Sequence, residues 1–547
     1  MQRSRIQTYL EIVVICSVLV TFVGCWGEST HPVSPKPDSG NSATSKEPVR
    51  PDPVEPERRE EPSLRREDLP KLTPELIADA ENLVMGSCSR CHAPLPTDVL
   101  PRPAWEKAIL AMADMAGETG QVPATPEEIA IALHWYEQQA PEQLEYFRYP
   151  PEQRLEFETY ELTPRGLEAE RIPAVSDIMM VRGDRGRPEG ILVSELRSRR
   201  LMFLPYGNVN SSELLPYLGA VEFNYPASLS QADVDGKGRM DILVSSMGGM
   251  NPSNDVDGGS WVILRSDQGI EVQPLGGAMA RACDLKGADF DDDGDTDFVV
   301  CSFGFRGPGK LFWLKSIQGQ YVVKELDQRD GFVAAIIDDV DGDDDEDIIA
   351  LLSQEHEVLI QYTNGGMGNF EPKVLLTFPH AAWGSSDLQR VDIDRDGDRD
   401  LILVNGDTLD DNTPKPTHGI RWVERKGDQY VEVHEILLLP GCERAAVGDL
   451  DGDGDLDMVG AAFFPQLPVD QWHKWDSVVW AENLTGDAKS WQIHTLEVGN
   501  PVHSAVLLDD VDQDGMVDVI LGNYVWLRAD GTPQTRRDYL TVMRRSK

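Results

Sequence analysis

Six stretches of this 547-residue chain set carboxylates at alternate positions around a tight turn. Four carry acids at positions 1, 3, 5 and 9 with glycine at 6: Asp289, Asp291, Asp293 and Asp297; Asp392, Asp394, Asp396 and Asp400; Asp449, Asp451, Asp453 and Asp457; Asp510, Asp512, Asp514 and Asp518. Two are weaker copies. In Asp339, Asp341, Asp343 and Asp347 the glycine place is taken by Asp344, and Asp233, Asp235 and Asp241 have Lys237 at position 5. These windows hold 30 of the chain's 94 acids in 54 residues. A solvated acidic face would explain excess charge but not the alternation. Like charges about 4 Å apart cost roughly 4 kcal/mol at an effective dielectric of 20, so the clusters call for a counter-cation. All the ligands are oxygens, and calcium accepts six to eight of them in flexible geometry where magnesium demands a tight octahedron. EF-hand loops open in the same way but need a bidentate glutamate at position 12. Here the twelfth residues are Val244, Val300, Ala350, Leu403, Gly460 and Leu521.

A second constellation is Cys88-Ser89-Arg90-Cys91-His92. Two thiols at this spacing add to the vinyl groups of a haem, and the adjacent histidine is placed to bind the iron, the attachment pattern of c-type haem. A zinc site or a redox dithiol would be the alternatives, but no second ligand pair lies nearby in sequence. Met112, Met115 and His134 are candidates for the sixth iron ligand, and methionine there would raise the reduction potential.

The elements that must position these residues follow from the apolar pattern. Each ninth-position acid runs into an apolar stretch such as Phe298-Val299-Val300 or Leu401-Ile402-Leu403-Val404, which reads as a strand. A hairpin follows, as in Leu311-Phe312-Trp313-Leu314 with Tyr321-Val322-Val323. The first acids recur every 50 to 61 residues, a period that means propeller blades or another array. A degenerate seventh copy precedes the six, with Gly190-Ile191-Leu192-Val193 as a strand and Arg182 and Gly190 where the first and ninth acids would stand. No metal is expected there. The fold class is therefore mainly β: a seven-bladed β-propeller of four-stranded repeats over 147–547, whose closure protects the strand edges, preceded by a small all-α cytochrome c-like unit over 69–146. An open β-solenoid is the alternative. The starts of the innermost strands would line a central funnel, with Arg281, Asp284, Trp383, Asp387, Arg444 and His503 among the lining residues.

The acidic loops and their period resemble FG-GAP or VCBS-type repeats, the family that includes the propeller head of integrin α subunits. The resemblance covers roughly 400 residues. It implies that side chains at positions 1, 3, 5 and 9, with the carbonyl at 7, hold calcium between the first two strands of a blade. Lys237 and Asp344 depart from that pattern. Small c-type domains fused to such propellers place a methionine seven residues after a tryptophan and five before a glycine; Met112 has this relation to Trp105 and Gly117.

Arg3 and Arg5 precede a short apolar run, Ile12 to Val23, which reads as an export signal over 1–25. It ends in Phe22-Val23-Gly24-Cys25, similar to a bacterial lipobox in which Cys25 is lipidated; plain secretion and an uncleaved anchor are the alternatives. Residues 26–68, rich in Pro, Ser, Glu and Arg, cannot bury enough surface to order themselves and read as a tether. The net charge of -44 disfavours nucleic acid and anionic membrane partners. Cys283 and Cys301 could pair across their loop, or stand as buried thiols. Together these features point to an exported calcium-stabilised binding module with a covalent haem c for electron transfer to an unknown redox partner. Its ligand would be a polymer, carbohydrate or protein, and its membrane contact would come only through the lipid anchor. The alternatives are an oxidoreductase with substrate in the funnel and a cell-surface adhesin.

Overall fold

The computed structural model describes residues 64–546 apart from 91, 119–121, 153, 165–170, 184–185, 207–212, 220, 268, 306 and 410. The expected export signal, Cys25, the tether up to residue 63 and Cys91 lie outside the described residues. Leu64 and Leu69 already pack on the helical core, and Arg66 pairs with Glu106 at 2.9 Å and with Glu137, so ordered chain begins ahead of residue 69.

The helical unit has four helices: α1 (Pro74–Ala78), α2 (Ala80–Cys88), α3 (Arg102–Glu118) and α4 (Pro126–Gln139). Thr73 and Thr125 cap α1 and α4, each followed by proline at the first helical position, and Thr125 and Glu128 form a reciprocal capping box. Apolar faces converge on Val84, Trp105, Ile109, Leu133 and Tyr136. Trp105 and Tyr136 stack at 3.9 Å, and both polar tips find backbone carbonyls, Trp105 Nε1 on Leu100 and Tyr136 Oη on Leu95. No helix of the described residues is long and apolar enough to cross a membrane.

The rest is mainly β, built from repeated four-stranded antiparallel sheets. Five sheets take their strands in chain order, their first strands being Pro226–Ala232, Ala282–Ala288, Phe332–Asp338, Ser385–Val391 and Cys442–Gly448. Each second strand, such as Asp297–Ser302 or Asp400–Asn405, is buried along its whole length, which is why these read as unbroken apolar runs rather than as alternation. The other eight strands form one continuous sheet in which Val175–Arg182, Pro188–Glu195, Arg200–Pro205 and Glu213–Pro216 meet Glu156–Pro164, then Leu540–Ser546, Asp518–Asn523 and His503–Asp509. The strand Glu156–Pro164 runs antiparallel to Leu540–Ser546, from Glu156 opposite Ser546 to Leu162 opposite Leu540. An N-terminal strand thus completes the C-terminal repeat. The sequence pattern did not show this, because pairing between strands some 380 residues apart leaves no local periodicity.

First strands of successive sheets touch one another in chain order, and the contact between His503–Asp509 and Val175–Arg182 brings the order back to its start, a propeller-like arrangement. In each antiparallel sheet the first-to-second and third-to-fourth connections share one end, and the others share the opposite end. The acidic loops are first-to-second connections. The helical unit sits at the opposite end: Ala381 and Ala382 pack on its core, and Tyr146 donates to the Pro414 carbonyl at 2.9 Å and meets Trp475 edge-on. Arg148 pairs with Asp476 at 2.9 Å, and further along Arg154 pairs with Glu482 while His494 lies 3.1 Å from both Glu152 and Glu482.

Neighbouring sheets are also pinned by Glu357, buried beside Ser353 and accepting from Ser385 Oγ at 2.6 Å and Gly384 N at 3.0 Å on the next sheet. Burial pushes its carboxyl up to about 7 despite these donors. A raised carboxyl favours the fold while protonated, an advantage present below the ordinary value of 4.5 and lost as pH rises through about 7. Glu357→Gln, which stays neutral, should therefore melt like the wild type in acid and above it at pH 8, by on the order of 1–3 kcal/mol. Thermal melts across this window check it, and a gap that does not widen with pH contradicts it.

Candidate functional site

The acidic loops share one internal scaffold. Position 1 accepts from the backbone of position 6 in all six loops and of position 5 in four: Asp289 from Asp293 N at 3.2 Å and Gly294 N at 2.9 Å, Asp510 from Asp514 N at 3.1 Å and Gly515 N at 2.9 Å, but Asp392 from Gly397 N and Asp449 from Gly454 N without position 5. Position 5 accepts from position 7, as Asp453 does from Asp455 N at 2.8 Å. The sixth residue has positive φ, +87° at Gly294 and +99° at Gly454, which is why glycine recurs there; Asp344 takes φ +71°, one of the few side chains that tolerate this region. The turn folds the carboxylates together, so that ligand oxygens of Asp233, Asp235 and Asp241, of Asp289, Asp291 and Asp293, and of Asp339, Asp341 and Asp343 each lie within 4.8 Å of one another. Asp291 Oδ1 and Asp392 Oδ1 are buried with no hydrogen-bond partner. Burial, and then the charge of Asp343, raises the Asp341 carboxyl; burial likewise raises Asp394 and Asp451.

Position 9 plays a part that sequence reasoning missed. Asp457 is buried and accepts from Leu450 N at 3.0 Å and, on the third strand, from Asn483 N at 2.9 Å. The same two bonds recur at Asp241, Asp347, Asp400 and Asp518. Asp297 keeps the third-strand bond, from Ser316 N, and takes Trp313 Nε1 in place of the loop N–H. The signal was present, since this acid always stands at the mouth of the buried strand, but its partner on the third strand lies 17 to 27 residues on. Some loops also carry built-in cations: Lys237 on Asp235, Lys315 on Asp291, and Arg544 on Asp512 at 3.2 Å. Of these only Lys237 was legible, because it alone lies within its loop.

Of the residues read as a haem site, Cys88, His92 and Met112 lie on the helical unit. Cys88 ends α2 and Met112 lies on α3, and both pack against the same core. His92 donates from Nδ1 to the Ala93 carbonyl at 2.7 Å, which leaves Nε2 as the nitrogen for a metal, the arrangement that orients a ligating histidine. Arg90 pairs with Glu128 of α4 and pins the motif there. The side chain of Met115, like Cys91, is outside the described residues; His134 stands half-buried on α4.

The residues expected in a central funnel divide. Arg444 feels Asp387 of the preceding sheet, Glu443 beside it on its own strand, and Asp177 and Asp284 of two non-adjacent sheets, which can reach it only about the axis. Lys286 pairs with Asp284 at 2.7 Å. Asp177 and Asp284 also accept from the next first strand, from Leu229 N at 2.8 Å and Ala335 N at 3.0 Å. Burial pushes the Asp177 carboxyl up to about 6 and that of Glu443 to about 8. His503, by contrast, is fully buried, with Nδ1 2.8 Å from Asn523 of its own sheet and Nε2 2.6 Å from Glu497 on the last strand of the preceding one. Trp383 is buried beneath the Arg421 guanidinium at 4.4 Å. Cys283, Cys301 and Cys442 are thiols.

A family model of FG-GAP-like repeats matches residues 339–403 and 392–460, two overlapping spans that each bracket acidic loops. No curated protein matches the sequence. Among solved structures, the extracellular domain of a one-component system from B. thetaiotaomicron is similar at 12% identity with a TM-score of 0.38, over 71% of this chain and 39% of that chain. The match thus spans about two fifths of that protein's length.

Loop positions should therefore separate in mutagenesis. Asp457→Ala leaves two buried N–H groups without acceptors and should cost on the order of 3 kcal/mol with calcium or with chelator. Asp453→Ala, at an exposed position, should cost little in chelator and show its loss only when calcium is present. Paired melts in the two buffers check this; equal behaviour of the two variants contradicts it.

Proposed function

We propose that this chain is an exported, calcium-stabilised, seven-bladed β-propeller that serves as a binding module, and that its helical unit carries a covalent c-type haem for electron transfer. The observation that carries the metal part is the convergence of carboxylates in loops whose turns are already held by backbone hydrogen bonds, with Asp291 Oδ1 and Asp392 Oδ1 buried and unpartnered. Oxygen-only, flexible sites of this kind fit calcium. Loops that hold Lys237, Lys315 or Arg544 against a ligand carboxylate bind it more weakly than those at Asp392 and Asp449. The count of seven is supported by the weakness of the parallel contact between Glu156–Pro164 and Glu213–Pro216, two residues long, at which the eight-stranded sheet divides into two blades.

The haem part rests on Cys88, Cys91 and His92, with Met112 as the sixth ligand. Once attached, the haem supplies one-electron redox chemistry. The chain's own residues do the holding: His92 keeps its Nδ1 proton on the Ala93 carbonyl and offers Nε2, while Trp105 and Tyr136 fix the packing between α3 and α4. Export with lipidation at Cys25 places the protein outside the cytoplasm, where free calcium is available.

One observation favours keeping the oxidoreductase reading beside this one. The segment that packs on the helical unit, Ala381 and Ala382, leads directly into the first strand that carries Asp387 at the axis, so a redox group on the helices would stand close to a ligand in the central opening.

Chelator should lower the melting temperature; at roughly tenfold excess over Kd each occupied loop adds about 1.4 kcal/mol. An unchanged melt rejects the metal. Protein matured with the bacterial haem-attachment machinery should gain the mass of one haem and lose it in Cys88→Ser, and Met112→Ala should lower the reduction potential. A chain of unmodified mass rejects the haem. Reduction of the oxidised protein by a defined sugar or alcohol selects the enzyme, and silence across such a panel selects the binding module.

A further inference from the structure

The chain has 94 acids against 50 basic residues, and most of its described arginines pair with a carboxylate. Arg281 is buried, 9% exposed, and is among those that make no ion pair with the described residues. Its Nη1 donates to the Asn251 carbonyl at 2.7 Å and more weakly to Gly249 at 3.4 Å, and Nη2 points at Met247 Sδ, while Nε is buried with no acceptor. The backbone at Arg281 holds φ +45°, a left-handed conformation that side-chain-bearing residues seldom adopt.

The ionisable groups whose fields reach this guanidinium are the Cys283 thiol and the Tyr524 phenol. Burial pushes the thiol up to about 11 and raises the phenol, so both are neutral at pH 7. A buried charge among neutral groups is expensive unless a partner completes it. Arg444 differs in having four carboxyl groups around it.

The surroundings define the missing partner. Arg281 precedes the first strand Ala282–Ala288, and Tyr524 follows Asp518–Asn523 in a sheet separated from it by two others in the ring, so the two residues face each other across the central opening. Both lie at the end of the sheets opposite the acidic loops. Tyr524 meets Phe463 edge-on at 5.3 Å, stands 6.2 Å from Trp526, and carries the Arg197 guanidinium 5.9 Å from its ring. A guanidinium lacking its anion beside an aromatic wall suits a ring-shaped ligand bearing a carboxylate or sulfate.

We propose that the central opening on this face binds an acidic saccharide, with Arg281 as the ion partner of its carboxylate or sulfate and Tyr524 as wall and hydroxyl donor. This deepens the binding-module reading and rests on its propeller ring, not on its metal or its haem.

The test is calorimetric titration of the full chain in calcium buffer at fixed ionic strength, with glucuronate, glucose 6-sulfate, glucose and sodium sulfate as probes. At least one acidic sugar should bind saturably and at least tenfold more tightly than glucose or sulfate. Arg281→Gln should weaken that binding tenfold or more, and Tyr524→Phe, which removes only a hydroxyl, severalfold with an unchanged melt. No saturable binding, or equal affinity in wild type and Arg281→Gln, overturns the site. Sulfate binding as tightly as the acidic sugars overturns the saccharide assignment. Because chelator melts and haem mass are read separately, loss of either leaves this result to stand or fall by itself.

Discussion

A carboxylate taken wholly out of water has to be met by donors, and in this protein that requirement sets the shape of each repeat. The aspartate at the mouth of the second strand is buried in the six acidic repeats, and in five of them one oxygen accepts the N–H of the loop's second residue while the other accepts an N–H from the third strand; at Asp297 the Trp313 indole takes the place of the first. Two connections that meet nowhere in sequence are thereby fixed to one atom pair. The turn between them then has little freedom, and the acids at positions 1, 3 and 5 fall inward because their carboxylates close short rings with backbone N–H groups. Charge repulsion among them is the cost of that geometry, and a divalent cation is its natural relief.

Ring closure is the second constraint. Repeats of this kind leave a strand edge exposed at either end unless the ends meet. Here the meeting is made by Glu156–Pro164, which reaches back to Leu540–Ser546 and also joins the first repeat. Antiparallel order then sorts the connections onto two faces. The acidic loops occupy one, while the longer loops that follow second strands, together with the helical unit, occupy the other. The acidic loops and the helical unit are thus separated by the length of a strand.

Around the axis, charges of both signs are interleaved. Asp177, Asp284 and Asp387 come from first strands of three sheets, and Arg444 and Lys286 from two of the same set and its neighbours. Their hydrogen bonds run from one first strand to the next, so the axis is stitched as well as packed. Such polar pairing inside a β ring specifies the register between sheets, where apolar contact alone would allow sliding.

Local chemistry made the repeats legible. Alternating carboxylates, the glycine at the sixth position, the apolar run after the ninth and the spacing of Cys88, Cys91 and His92 are all properties of a few consecutive residues. The sequence therefore determined the mainly-β repeat, the position of the acidic loops and the helical unit ahead of them. It could not show that Asp457 serves Asn483, that Lys315 lies on Asp291, that His503 is spent on Glu497 of the preceding sheet, or that Glu156–Pro164 belongs to the last repeat. Each of these joins residues brought together by the course of the chain between them. What a residue can do is set by its type and its immediate neighbours; whether its charge is met, buried or left waiting is set by strands that arrive from elsewhere, and only the tertiary structure decided that.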